Sequence, residues 1–170
     1  MAAKSTSDPR RDRPAIPAEY GTSKAKAFVE WSHIEDRLTR DRVYWVATAG
    51  PDGRPRVRPV DGLYLDRVIY VGGSPKTRWV RDVKASPLVS VHLDGLDEVV
   101  MIDGDAEVLG DVGAELAARL AAASNAKFPE YKMTAASYRS GGVIAIRIRQ
   151  VVAWTDITKD PTRFRFDNPE

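Results

Sequence analysis

From Val143 to Arg149 the chain alternates without interruption. Ile144, Ile146 and Ile148 fall on one side, and Val143, Ala145, Arg147 and Arg149 on the other. A period of two is that of a strand with one apolar face and one arginine-bearing face. Five earlier segments read as strands too. "VYWVATA" and "RPRVRPVDGLYL" flank the turn "GPDG", where Pro51 fixes φ and Gly53 accepts a positive φ, so together they predict a β-hairpin. Val68–Val71 predicts a third strand, "PLVSVHLDG" a fourth, and "DEVVMIDGDAEVLGD" a long fifth with Gly104 at a bend or bulge. The tail "TRFRF" alternates again.

Three segments repeat at helical spacing instead. "SKAKAFVEWSHIEDRLTRD" places Ala27, Phe28, Trp31, Ile34 and Leu38 on one stripe, with Ser23 as a cap. "SPKTRWVRDVKA" turns Trp79, Val80 and Val83 inward, and Val112, Leu116 and Leu120 recur at i, i+4 and i+8. Six strands with antiparallel turn signals and few helices predict a mainly β domain, a barrel or sandwich with peripheral helices. No repeat or linker interrupts the chain after Gly21, so residues 22–170 are expected to form one domain. Residues 1–21 carry charges and prolines without an apolar core, and predict a disordered arm rather than a secretory signal.

Composition narrows the function classes. The 170 residues are 43% hydrophobic, as in a globular protein, and hold no run of about 18 apolar residues that would span a membrane. The absence of cysteine removes disulfides, thiolate metal sites and cysteine nucleophiles, and fits a cytoplasmic location. With 26 basic and 24 acidic residues the net charge is only +2, and the basic cluster "PRRDRP" reads as a solvated tail, so no nucleic-acid partner is expected. His33 and His92 have no acid at metal-ligand spacing and read as structural; no metal site is expected. Neither a Gly-x-Ser-x-Gly elbow nor a Gly-x-Gly-x-x-Gly loop is present. With no proton-transfer or nucleophile constellation, and so no catalytic residue to name, the hard chemistry of an enzyme here would belong to a cofactor.

The candidate chemistry lies in "VGGSPKTRWVRD". It resembles a phosphate loop, but Pro75 stands where a Walker A loop needs glycine, which ends the nucleotide-hydrolase reading. Ser74 as N-cap and Pro75 as first helical residue would place Lys76 in a first turn, where amides and dipole favour an anion. Two readings stand on these residues alone: an anion site, or a capped helix whose Lys76 and Arg78 reach into water. Lys76 and Arg78 lie about 200° apart around a helix and need not share a ligand. In "GRPRVRPV", Arg56 and Arg58 fall on one strand face and Val57 on the other. That strand and the Ser74–Lys76 turn are separated by one short strand and can be neighbours.

The segments from "VYWVATAGPDGRPRVRPVDGLYL" through "VGGSPKTRWVRDVKASPLVSVHLD" and "EVVMIDGDAEVLGD" to "GGVIAIRIRQVVAWTDITKDPTRFRF" resemble the pyridoxamine 5′-phosphate oxidase-like superfamily, in particular its flavin- and deazaflavin-dependent oxidoreductases. The resemblance runs from Trp31 to Phe166. It implies a split β-barrel of about six antiparallel strands with peripheral helices, in a homodimer with two sites at the interface. It implies the deazaflavin F420, as first choice, or FMN as cofactor, with a small conjugated molecule as substrate. By the resemblance, Arg58 is a phosphate- or ribityl-binding arginine, with Arg56 on the same basic strand face. Ser74 and Lys76 form a serine-x-lysine phosphate turn continued by Thr77 and Arg78, and the backbone from Pro59 and Val60 to Gly62 lies along the ring. The fifth strand near Val99 to Met101, from the partner subunit, and Trp154 would close the site. Trp79–Val80 and Asp61 depart from the family pattern. A protein of this fold that carries a flavin- or haem-like molecule without catalysis is the alternative.

Overall fold

The computed structural model describes residues 8–139 and 141–166. It contains eight strands, β1 (Arg10–Asp12), β2 (Val43–Ala49), β3 (Pro55–Leu65), β4 (Val68–Gly72), β5 (Leu88–Leu93), β6 (Val99–Leu109), β7 (Val143–Trp154) and β8 (Thr162–Arg165), and four helices, α1 (Trp31–Arg40), α2 (Arg78–Ala85), α3 (Ala114–Lys127) and α4 (Ala135–Arg139). Strands β7–β4–β3–β2–β5–β6 pair antiparallel in that order, and β6 pairs back onto β7, closing a six-stranded barrel. The chain is therefore a mainly β split barrel, with β8 and β1 added beyond β7.

Two strands divide their edges between partners. β3 pairs with β2 from Pro55 to Asp61 and with β4 only from Gly62 to Leu65. Its β4-side edge is thus unpaired along Pro55–Asp61, which is where an edge strand tolerates Pro55 and Pro59. β7 pairs with β4 through Val143–Arg147 and with β8 through Gln150–Ala153. The alternation of β7 explains its place. Ile144 and Ile146 fill the barrel with Tyr44, Val46, Ile69 and Ile102. Val143 packs outside it with Leu63, Leu120 and Phe128 beneath α3. Arg147 and Arg149 emerge beyond the helix and pair with Glu107 and Asp105 on β6. The bend expected at Gly104 is a bulge: the β6–β7 register skips one β7 residue after Asp103, and a Cβ on Gly104 would stand 2.7 Å from the Arg147 carbonyl oxygen.

Two expectations need correction. The segment expected as a disordered arm is ordered over residues 8–21, the part within the described residues. β1 pairs with β8, and Asp12 takes two bonds from Arg163 at 2.7 and 2.9 Å. The alternating tail that forms β8 supplies the edge that orders it. The first helix starts at Trp31, not after Ser23. Residues 25–30 form no helix: the Val29 N–H is bound to Thr162 Oγ1 at 2.8 Å, and the Phe28 ring lies under the guanidinium of Arg13 at 3.9 Å.

Candidate functional site

The unpaired edge of β3 faces the end of β4 and the loop that leads into α2. Along this stretch Arg56, Arg58 and Val60 are half-buried, while Val57, Pro59 and Asp61 are exposed. The shared face of Arg56 and Arg58 is as expected from strand spacing, but the two arginines have different surroundings. Arg56 is held by carboxylates: Asp82 of α2 lies 3.3 Å from Nη1, and Asp52 of the β2–β3 turn lies 3.0 Å from Nη2. Arg58 bonds to the neutral hydroxyl of Thr48 at 3.1 Å and lies 5.2 Å from the centre of the Trp79 ring. Among the described residues it forms no ion pair. Burial pulls its pKa below the ordinary arginine value, with Asp82 opposing and Arg56 adding to that shift. A guanidinium remains charged under these conditions, so Arg58 is a fixed cation that no carboxylate contacts among the described residues.

The loop differs from its expected form. Ser74 is not the cap of α2 and Lys76 is not in its first turn. Ser74–Thr77 closes as a turn, with Thr77 N–H donating to the Ser74 carbonyl at 2.9 Å and the Thr77 hydroxyl donating to the same oxygen at 2.6 Å. Pro75 presets φ for such a turn. Thr77 then sits extended at ψ 152° as the N-cap, so the helix begins at Arg78. Lys76 projects from the turn and is exposed. Arg78 occupies the first helical position, 3.7 Å from Asp52.

Trp79 joins strand and loop. A Cβ on Gly73 would collide with its ring and stand 2.9 Å from Val80 Cγ2, so only glycine lets the loop pass this close. Gly73 N–H donates to Gly142 O at 2.7 Å, pinning the loop to the start of β7. Arg58 and the Gly73 backbone therefore both approach the Trp79 ring, which gives the departure at Trp79 a role: a large ring packs against the arginine. Trp154 is not brought here within one chain. It lies at the far end of β7 from Val143, which pairs with Gly72, roughly 35 Å of strand away.

On the face of β3 opposite Arg56 and Arg58, beneath α3, is a cavity of about 150 Å³ lined by Asp61, Leu63, Tyr70, Phe128, Tyr131 and Tyr138, and bordered by Gly72. Asp61 accepts a bond from the Tyr131 hydroxyl at 2.7 Å, and this bond to a carboxylate raises the Tyr131 pKa. Sequence reasoning passed over Tyr131 and Tyr138. The aromatic density of "FPEYKMTAASY" was the available signal, but helical and strand periodicity are both too weak there to place it.

A closed split barrel with a cationic cradle at its open strand edge defines a class of fold, and the sequence assigns the family within it. A profile of the pyridoxamine 5′-phosphate oxidase family matches residues 31–155, and the chain belongs to that family. No curated protein matches the sequence significantly. Among solved structures, an FAD-binding protein from Mesorhizobium loti is 26% identical with a TM-score of 0.58, covering 79% of this chain and 94% of that one. An F420 reductase is 21% identical with a TM-score of 0.54, covering 69% and 94%. The haem storage protein HutZ from Vibrio cholerae is 17% identical with a TM-score of 0.59, covering 71% and 92%.

Proposed function

We propose that the protein is an oxidoreductase that binds a flavin-type cofactor, F420 in the first instance or FMN, at the β3–α2 cradle. The observation that carries this reading is Arg58: a partly desolvated guanidinium, aligned by Thr48 and Trp79, that no carboxylate contacts among the described residues. A phosphate satisfies such a group with charge-assisted bonds. Lys76 would add a second cation, and the hydroxyls of Ser74 and Thr77 lie in the same turn. Arg56 and Arg78, both paired with acids, shape the cradle more than they bind. Bound there, the reduced cofactor would supply a hydride. The chain's part would be to hold it along Pro59–Gly62, to orient a small conjugated acceptor in the Tyr131–Tyr138 cavity, and to exclude water.

A homodimer completes this reading. The outer barrel face pairs Trp45 with Pro59 and Ala47 with Val57 across β2 and β3, and Val57 is 62% exposed. An apolar sheet face of this kind is suited to a second copy, which would bring Trp154 and the start of β6 of the partner subunit towards the ring. Among the described residues no helix is long and apolar enough to cross a membrane; the lack of cysteine supports a cytoplasmic setting.

The likeness to HutZ favours a second reading, a carrier of a flavin- or haem-like molecule. The test is an absorption spectrum of the purified protein and titration with F420, FMN and haem, followed by turnover of reduced cofactor with conjugated acceptors. Binding of F420 or FMN with turnover supports the enzyme. Binding without turnover supports the carrier, and binding of none of the three defeats both.

A further inference from the structure

Lys127 ends α3, yet its side chain is drawn back against the barrel. Nζ donates to the carbonyls of Leu38, at 3.1 Å, and Gly62, at 2.7 Å. It also lies 4.8 Å from the centre of the Tyr44 ring, whose hydroxyl donates to the same Leu38 carbonyl. Lys127 lines a cavity of about 210 Å³, separate from the acceptor cavity, whose other walls are Thr39, Leu63, Tyr64, Leu65, Ala123 and Ala126. The walls are mostly apolar, and the Tyr64 hydroxyl is already bound to Glu35 at 2.9 Å.

The count of bonds matters. An ammonium has three N–H donors; a neutral amine has two and a lone pair. Both forms can donate to the two carbonyls, so loss of one proton strands neither acceptor. Burial lowers the pKa to about 8, opposed by the charges of Asp41 on the α1 side and Asp61 on β3, and assisted by Arg42. A desolvated lysine beside an apolar cavity is the setting in which amines attack carbonyl compounds.

We propose that Lys127 is a nucleophilic amine site for small apolar aldehydes that enter this cavity. Nζ attacks the carbonyl carbon and a C–N bond forms. The nitrogen gives up one proton through solvent to the carbonyl oxygen, a second comes from solvent, and the oxygen leaves as water, so neutral amine, aldehyde and one proton become protonated imine and water with no oxidant or reductant. The protonated imine keeps one N–H for Gly62 O, and Leu38 O retains the Tyr44 hydroxyl, so neither carbonyl is stranded. Imine formation itself needs no cofactor, although Gly62 and Leu63 border both this site and the proposed cofactor site.

The test uses the intact protein, propanal as probe and cyanoborohydride to trap the imine, with peptide mapping by mass spectrometry between pH 7 and 9.5. At pH 7 an amine of pKa about 8 is about one-tenth neutral, against about 0.03% for an ordinary lysine. Lys127 should be propylated at least fivefold faster than the exposed Lys24, Lys84 and Lys132, and its rate should level off above pH 8 to 9 while theirs keep rising. Ala126→Leu, at the exposed rim, should slow Lys127 severalfold and leave the other lysines unchanged. Lys127 labelling no faster than that of the exposed lysines, a rate that never levels off, or indifference to Ala126→Leu overturns the proposal.

Discussion

The Asp82 carboxylate lies 3.3 Å from Arg56 Nη1 although 26 positions separate the two residues. This pair ties α2 to the open edge of β3. It also means that Asp82 and Asp52 are both engaged by Arg56, and Arg58 is left to a hydroxyl and an indole.

Asp82 is almost fully buried and Arg56 is its ion-pair partner among the described residues. Removing the arginine strands a buried carboxylate. Arg56→Gln should therefore cost about 2–4 kcal/mol in urea denaturation. Asp52→Asn, which breaks a largely exposed pair, should cost less than about 1 kcal/mol. Equal losses in the two variants would show that burial does not set the energy of this network.

Arg58→Met should separate binding from stability. Its loss removes one bond to Thr48, about 1 kcal/mol of folding energy. The affinity for F420 or FMN should fall by about 1–3 kcal/mol, roughly 5- to 150-fold, the scale of a charge-assisted phosphate contact. Lys76→Ala should lower the affinity similarly with no change in melting temperature, because Lys76 is exposed. Titration with either cofactor measures both, and unchanged affinity in Arg58→Met would remove the cradle from the site.

Lys127 predicts a pH dependence of stability. Its folded pKa, about 8, lies below the ordinary lysine value of 10.5 because burial disfavours the charge. Between these values the unfolded chain binds more protons than the folded one, so this group adds stability as pH rises from 8 towards 10.5 and loses it as pH falls back through 8. Tyr44 and Tyr64 act oppositely. Burial raises both of their pKa values, so their contribution is lost above pH 10. Unfolding midpoints should therefore rise between pH 8 and 10, and Lys127→Met should flatten the rise. A midpoint that falls across that interval in the native protein contradicts this assignment.

Thr162→Val keeps the shape of a fully buried side chain and deletes two bonds, one from Val29 N–H and one to Asp160 O, each 2.8 Å. Stranding the Val29 amide should cost about 1–3 kcal/mol. Hydrogen exchange at Val29 should speed up by the corresponding factor, while amides in the middle of β6 keep their protection. Unaltered exchange at Val29 would show that Thr162 does not set where α1 begins.

Much of the barrel was legible in the chain because burial on one face imposes a period of two, as in Ile144, Ile146 and Ile148. The Arg56–Arg58 face followed from the same rule, and the bulge followed from Gly104 standing inside a strand. The elements misread were those whose ends are set by distant partners. Ser23 is a good local cap, but Thr162, 133 positions beyond Val29, takes the amide that a longer helix would have used. Arg10–Asp12 has too little apolar character to predict a strand, and becomes one because β8 offers it an edge and Arg163 a charge.

The site divides in the same way. Local sequence determined that a basic strand and a Ser-Pro-Lys turn flank one short strand, because strand alternation and proline's fixed φ are properties of neighbouring residues. Only the tertiary structure decided which cation is available. The choice between Arg56 and Arg58 depends on Asp82 and Trp79 arriving from α2, and charge neutralisation acts through space rather than along the chain.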